Sequence, residues 1–142
     1  MGQKSRAAID RFQSGSRAHD ALQRRFTQPT LWDAFLQYLS RAGYGIPAAS
    51  LARDVTAPIE ASTELQTVFI DLYRNDSKHA EMCERLVDLD EGLQEWRYRH
   101  VKMVERTIGS KPGTGGSGGA QYLTATLMQP IFPDLWAIRA QL

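Results

Sequence analysis

"ERLVDLDEGLQEWRYRHVKMVERTI", residues Glu84 to Ile108, decides how this chain folds. Its residues Leu86, Leu89, Leu93, Trp96, His100, Met103 and Thr107 step by alternating threes and fours, the spacing of one continuous stripe along an α-helix. At 1.5 Å of rise per residue such a helix is roughly 35 Å long, enough to cross a small domain from side to side. The pattern therefore predicts a central helix on which other elements pack.

Working outward, the same helical periods recur and strand signals are nearly absent: there are no alternating Val/Ile/Thr runs and no Asn-Gly hairpins. Upstream, "TELQTVFIDLYRN" from Thr63 predicts a helix burying Leu65, Val68, Phe69 and Leu72, with "NDS" as the cap of the next helix. "TLWD" opens an earlier one, with Thr30 as cap and Asp33 facing the exposed amides, burying Leu31, Phe35, Leu36, Tyr38 and Leu39 and ending at Gly43. A first helix covers about Arg17 to Phe26, and "GYGIPAASLARDVTAP" reads as a connecting loop. Downstream come a glycine-rich loop, a short helix from about Gln121 to Met128, a break at Pro130 and a last helix opening at "PDLW". The expectation is an all-α chain, one domain over residues 1–142, a helical bundle with a long central helix.

The bulk composition excludes several classes of function. The 142 residues include 42% hydrophobic and 23% charged side chains, and no apolar run approaches the length of a membrane span. Seventeen basic residues against sixteen acidic ones, spread along the chain, supply no long-range field for nucleic acid. The N-terminal "MGQKSRAAIDRF" lacks the apolar core of a secretory signal, and the single cysteine, Cys83, reads as a small packing residue; together they predict a cytoplasmic protein.

Six glycines fall between Gly109 and Gly119, and Gly113 to Gly118, "GTGGSG", satisfies the dinucleotide pattern G-x-G-x-x-G. That pattern works only where a strand turns into a helix and aims amides at a pyrophosphate, whereas this one follows a helix in a chain without a parallel sheet. Lys111 precedes the glycines, so a Walker loop fails as well. A flexible spacer is the plainer reading, although only 23 residues follow Gly119, too few to form a second domain.

His100 lies on the stripe, where a histidine is either a packing residue or a metal ligand. Positions 96, 97, 103 and 104 hold Trp, Arg, Met and Val, so no second ligand stands one turn away for zinc or non-haem iron. Haem needs only one protein ligand, since the porphyrin supplies the equatorial ones. Trp96, four residues back, is either a large core residue or an indole placed beside the imidazole. The cations Arg97, Arg99, Lys102 and Arg106 are either a solvated flank or partners for carboxylates such as haem propionates. His19 and His79 read as solvated. The absence of C-x-x-C-H excludes covalently attached c-type haem.

"WRYRHVKMVERTIGSKPGTGGSGGAQYL" followed by "FPDLWAIRAQL" resembles the C-terminal half of the tryptophan 2,3-dioxygenase family. The motifs are specific: W-R-x-R-H on a helix, an I-G-x-K hinge, a G-T-G-G-S loop whose threonine lies fourteen residues after the histidine and an F-P-x-L-W tail. Weaker similarity runs through "LVDLDEGLQEW", "FLQYLSRAGYGIPAASLARD" and "GQK". The resemblance implies an all-helical haem b enzyme that opens the indole ring of L-tryptophan with O₂ to give N-formylkynurenine. It implies that His100 is the proximal iron ligand and that Trp96 hydrogen-bonds the far nitrogen of its ring. Thr114, flanked by Gly113 and Gly115, corresponds to the loop residue that engages the substrate's ammonium and carboxylate, and the glycines let that loop close as a lid.

Two departures qualify the resemblance. Gly118 stands where the family's loop carries a second serine. The family's N-terminal half, with its distal histidine and the arginine that clamps the substrate carboxylate, has no counterpart here. The expectation is therefore a chain that supplies the proximal haem face and the lid, and that self-associates or joins an N-terminal half. Two alternatives stay open: a haem-binding or scaffold subunit without turnover, and a related haem oxygenase acting on another indole or aromatic amino acid.

Overall fold

A computed structural model describes residues 6, 9–109, 111 and 120–142. The glycine loop, with Gly113, Thr114, Gly115 and Gly118, lies outside the described residues. Among the described residues there are helices and no strand, so the protein is all-α as expected. The chain divides into two compact units, Met1–Asp71 and Leu72–Leu142.

In the first unit, α1 (Arg17–Thr27) is capped by Ser16, whose hydroxyl accepts the His19 N–H at 3.2 Å. It buries no residue. The next helix, α2 (Leu31–Arg41), opens on a capping box in which Asp33 N–H donates to the Thr30 hydroxyl and Thr30 N–H donates to the Asp33 carboxylate at 2.6 Å. The Asp33 carboxylate also accepts the Arg53 guanidinium, at 3.0 Å for Nη2. Trp32, Phe35, Leu36 and Leu39 are buried, while Leu31 and Tyr38, expected inside, point outward. The seat expected for Leu31 goes to Trp32, whose ring centroid lies 6.0 Å from Phe35 and 5.5 Å from Phe69.

Gly43 ends this segment at φ 99°, a left-handed conformation that favours glycine. The stretch expected to be loop contains one helical turn, α3 (Ala48–Leu51), started by Pro47. The boundary between units falls within α4 (Thr63–Asn75), where Leu65, Phe69 and Leu72 are buried.

The second unit is organised by α5 (Ser77–Ile108), 32 residues and about 48 Å long. It begins seven residues earlier than the apolar stripe predicts, because Asp76 caps it: the carboxylate accepts the His79 N–H at 3.1 Å and lies 2.8 Å from His79 Nδ1. His79 is accordingly 12% exposed at its side chain, not solvated as expected. The helix stops at Gly109, whose φ of 59° and ψ of −131° are open essentially to glycine alone. The chain then returns through α6 (Ala120–Ala125), packed along α5, and α7 (Pro133–Ala137), with proline at its start, into a terminal 3₁₀ turn (Arg139–Gln141).

The residues that α5 buries are Cys83, Leu86, Val87, Asp90 and Val101, and Phe132, Leu135 and Ile138 of the C-terminal segment, which packs on α5, are buried in the same unit. Asp90 is fully buried, and one of its oxygens, Oδ2, accepts three N–H groups: Ile131 at 2.8 Å, Phe132 at 3.1 Å and the Trp136 indole at 3.0 Å. A single carboxylate thus satisfies two backbone donors of the segment that leads into α7. Glu84 makes the second tie, accepting the Tyr73 hydroxyl at 2.6 Å and the Arg139 guanidinium at 2.7 Å.

Candidate functional site

The stripe singled out in the sequence is real, yet most of it does not enter the core. Leu86 is buried, but Leu89 is 43% exposed, Trp96 60% and Met103 54%. The inward stripe runs one residue out of step, through Cys83, Val87, Asp90, Gln94, Arg97, Val101, Val104 and Ile108, also spaced by fours and threes. A shift of one residue is a rotation of roughly 100° about the helix. Helix α5 therefore carries two neighbouring stripes, one turned to its own unit and one turned outward with His100 in the middle.

On the outer stripe the Trp96 and His100 rings stack, with centroids 5.2 Å apart and planes 4° from parallel. The i, i+4 spacing brings them onto one face, and the offset stack is a favourable arrangement for two flat rings. His100 is half-buried, and its ring makes no hydrogen bond to any described residue. An indole N–H in a parallel plane does not point at an imidazole lone pair. The bond implied by the family resemblance thus requires the Trp96 ring to turn out of this stack.

The cations around the histidine divide into three groups. Arg99 pairs with Glu95 and Lys102 with Glu105, both one turn along the helix. Arg97 reaches across to the returning chain and donates to the Gln129 carbonyl at 2.8 Å, in a bond at the solvent-exposed edge of the unit. Arg106 has no ion pair or hydrogen bond among the described residues. Arg99, Lys102 and Arg106, with Tyr98, Met103 and Thr107, line a shallow groove of about 420 Å³ along the outer side of α5.

Among the described residues no group of three His, Cys, Asp or Glu side chains could hold a metal ion. A metal here would take one protein ligand, His100, and its remaining ligands from elsewhere, as haem iron does. The donor set fits: an imidazole without a hydrogen-bond partner among the described residues, Trp96 and Met103 on the same stripe, and cations at the margin for carboxylates. Among the described residues no helix is long and apolar enough to cross a membrane.

The long central helix with its outward histidine–indole pair defines the class, an all-α chain organised on one long helix. Residues 61–142 match the tryptophan 2,3-dioxygenase family, and the chain belongs to it. It is 54% identical over its whole length to a tryptophan 2,3-dioxygenase from Herpetosiphon aurantiacus, covering 54% of that protein. It is also 49% identical over its whole length to one from Anaeromyxobacter sp. (strain K), of which it covers 53%, and 41% identical to one from Arthrobacter sp. (strain FB24), of which it covers 51%. The chain spans about half the length of the curated relatives it matches.

Sequence reasoning gave Asp90 no role and left Arg97 as a solvated flank or a partner for carboxylates, whereas both bond to the backbone of the returning segment. Their spacing of seven was a signal, since residues two turns apart share a face, but a polar side chain suggests solvent until its backbone partner is known.

Proposed function

We propose that this chain supplies the proximal haem face and the substrate loop of a haem-dependent dioxygenase that opens the indole ring of L-tryptophan with O₂ to N-formylkynurenine. The observation that carries the reading is His100, half-buried without a hydrogen-bond partner among the described residues, stacked on Trp96 along an outward apolar stripe. The relatives named tryptophan 2,3-dioxygenase support the substrate. When bound, haem b supplies the iron at which O₂ and the indole react.

In this reading His100 holds the iron and Trp96 orients the imidazole, the role of a neighbour that fixes a metal-bound ring. Arg106, and Arg99 or Lys102 after exchange of partner, are the cations within the same stretch of α5 that suit the haem carboxylates. Thr114, between Gly113 and Gly115, offers a hydroxyl to the substrate's ammonium and carboxylate; this role rests on the family motif alone. Loop closure there excludes water from the reacting centre.

The outward stripe needs a cover, since exposed apolar surface of this kind marks an interaction face. A second copy, or a polypeptide equivalent to the N-terminal half of the relatives, would provide it and the distal wall of the pocket. The setting is the cytoplasm, consistent with the single buried thiol of Cys83.

Reconstitution with haemin tests the assignment. The parent chain should show a Soret band that His100→Ala abolishes or returns only with added imidazole; an unchanged spectrum and stoichiometry would overturn it. In a competent assembly Thr114→Ala should keep its haem and lose about 1.5–3 kcal/mol of L-tryptophan binding, roughly ten- to a hundredfold. A second reading, a haem-binding subunit without turnover, is favoured by the open outer stripe. N-formylkynurenine formed only after a separately made N-terminal half is added would support a shared active site, and none in any combination would support the second reading.

A further inference from the structure

The residues of α5 that hold the returning chain form a matched pair. Asp90 and Arg97 are two turns apart and share the inward face of the helix. The anion takes the N–H groups of Ile131 and Phe132, and the cation donates to the carbonyl of Gln129, so one short peptide is gripped at both of its polar edges. Beyond Arg97, the helix buries only Val101. Arg97 is the last residue of α5 whose side chain bonds to the returning segment among the described residues, and it belongs to the same turn as Trp96 and His100.

We propose that Arg97 is a positioning residue for His100: its bond to the Gln129 carbonyl fixes the rotation of the turn that carries the Trp96–His100 stack. The inference rests on the reading of His100 as the haem ligand. His100 lies three positions on, roughly 60° around the helix from Arg97, so a small rotation about the axis moves the imidazole along an arc. Without the guanidinium, the Gln129 carbonyl turns to solvent and this turn loses its side-chain bond to the returning segment. Arg97 itself touches neither haem nor substrate in this scheme. Lysine can reach the same carbonyl with one N–H, whereas methionine has similar length and no donor.

The test begins without cofactor. In the parent chain the His100 ring protons should carry ring-current shifts from the stacked Trp96 indole; Arg97→Met should move them towards unstacked values and Arg97→Lys should restore them. With haemin bound at saturation, Arg97→Met should shift or broaden the iron–imidazole stretching band of the reduced chain and weaken haemin binding about five- to tenfold, while melting stays close to the parent. Arg97→Leu, which likewise has no donor, is run beside it and carries the same expectation, so that a folding defect in one variant leaves the comparison intact. Parent-like ring shifts and a parent-like stretching band in the donor-free variants, or a lysine variant no better than methionine, would overturn the proposal. A His100→Ala variant that keeps its Soret band instead sinks the ligand assignment, which the cofactor-free shifts do not depend on.

Discussion

Arg139 and Glu84, 55 residues apart, meet at 2.7 Å, and the Tyr73 hydroxyl donates to the same Glu84 oxygen at 2.6 Å. Burial pushes the Glu84 carboxyl up, but the bonds from Tyr73 and Arg139 outweigh it and hold the carboxyl below its ordinary value of 4.5. A depressed folded value means the stabilisation is complete above that ordinary value and is lost as the pH falls below it. Glu84→Gln should therefore flatten the acid limb of an unfolding curve below about pH 4.5 and cost about 1 kcal/mol at neutral pH, a modest figure because the group is half-exposed. Urea melts at pH 3.5 and pH 7 measure both effects.

In the first unit the ion pair to break is Arg53 with Asp33. The Asp33 side chain is 8% exposed, and removing the guanidinium leaves a carboxylate already committed to the Thr30 capping box without its counter-charge. Arg53→Ala should cost about 3 kcal/mol. Asp33→Asn, which keeps part of the cap and removes the charge, should cost less; a reversed order in thermal melts would show that the cap, not the pair, carries the energy.

Asp90 serves three donors with one oxygen, while its Oδ1 has no hydrogen-bond partner among the described residues. Asp90→Ala should strand two backbone N–H groups and an indole N–H in the core at a cost of about 3–5 kcal/mol, since each unsatisfied donor carries a desolvation penalty. Hydrogen exchange at Ile131 and Phe132 should quicken before exchange in α5 does.

Burial, then the neighbouring Glu84 charge, push the Cys83 thiol up to about 12, with Arg139 partly opposing them. At pH 8 this leaves about a thousandfold less thiolate than an ordinary cysteine, so Cys83 should resist alkylation in the native chain and react at the normal rate in urea.

Much of the fold was legible in the sequence because helix signals are local. Thr30 with Asp33 marked the start of α2, "NDS" marked the cap of α5, and Pro133 marked α7, all through bonds made within a few residues. What stayed hidden depended on partners far along the chain. Trp32 displaced Leu31 from the core because Phe69 offers a ring to pack on. The partners of Asp90 and Arg97 were not legible locally because the N–H and C=O groups they serve lie some thirty to forty residues away. His100 and Trp96 could be put on one face by spacing, but spacing alone did not say that this face looks outward. Thr114 rests on its motif, outside the described residues.

The one-residue offset between the two stripes of α5 makes the helix a phase-sensitive part. Substitutions between Asp90 and Trp96 alter only local chemistry, because every later side chain keeps its bearing. A single residue inserted there would advance the rest by one position, carrying Trp96, His100, Met103 and Thr107 into the bearings now held by Arg97, Val101, Val104 and Ile108. The histidine would be driven into the core at Val101's seat, and the valines would be turned to solvent. This segment can therefore vary in composition far more freely than in length, and its count of residues acts as the gauge that sets where the imidazole points.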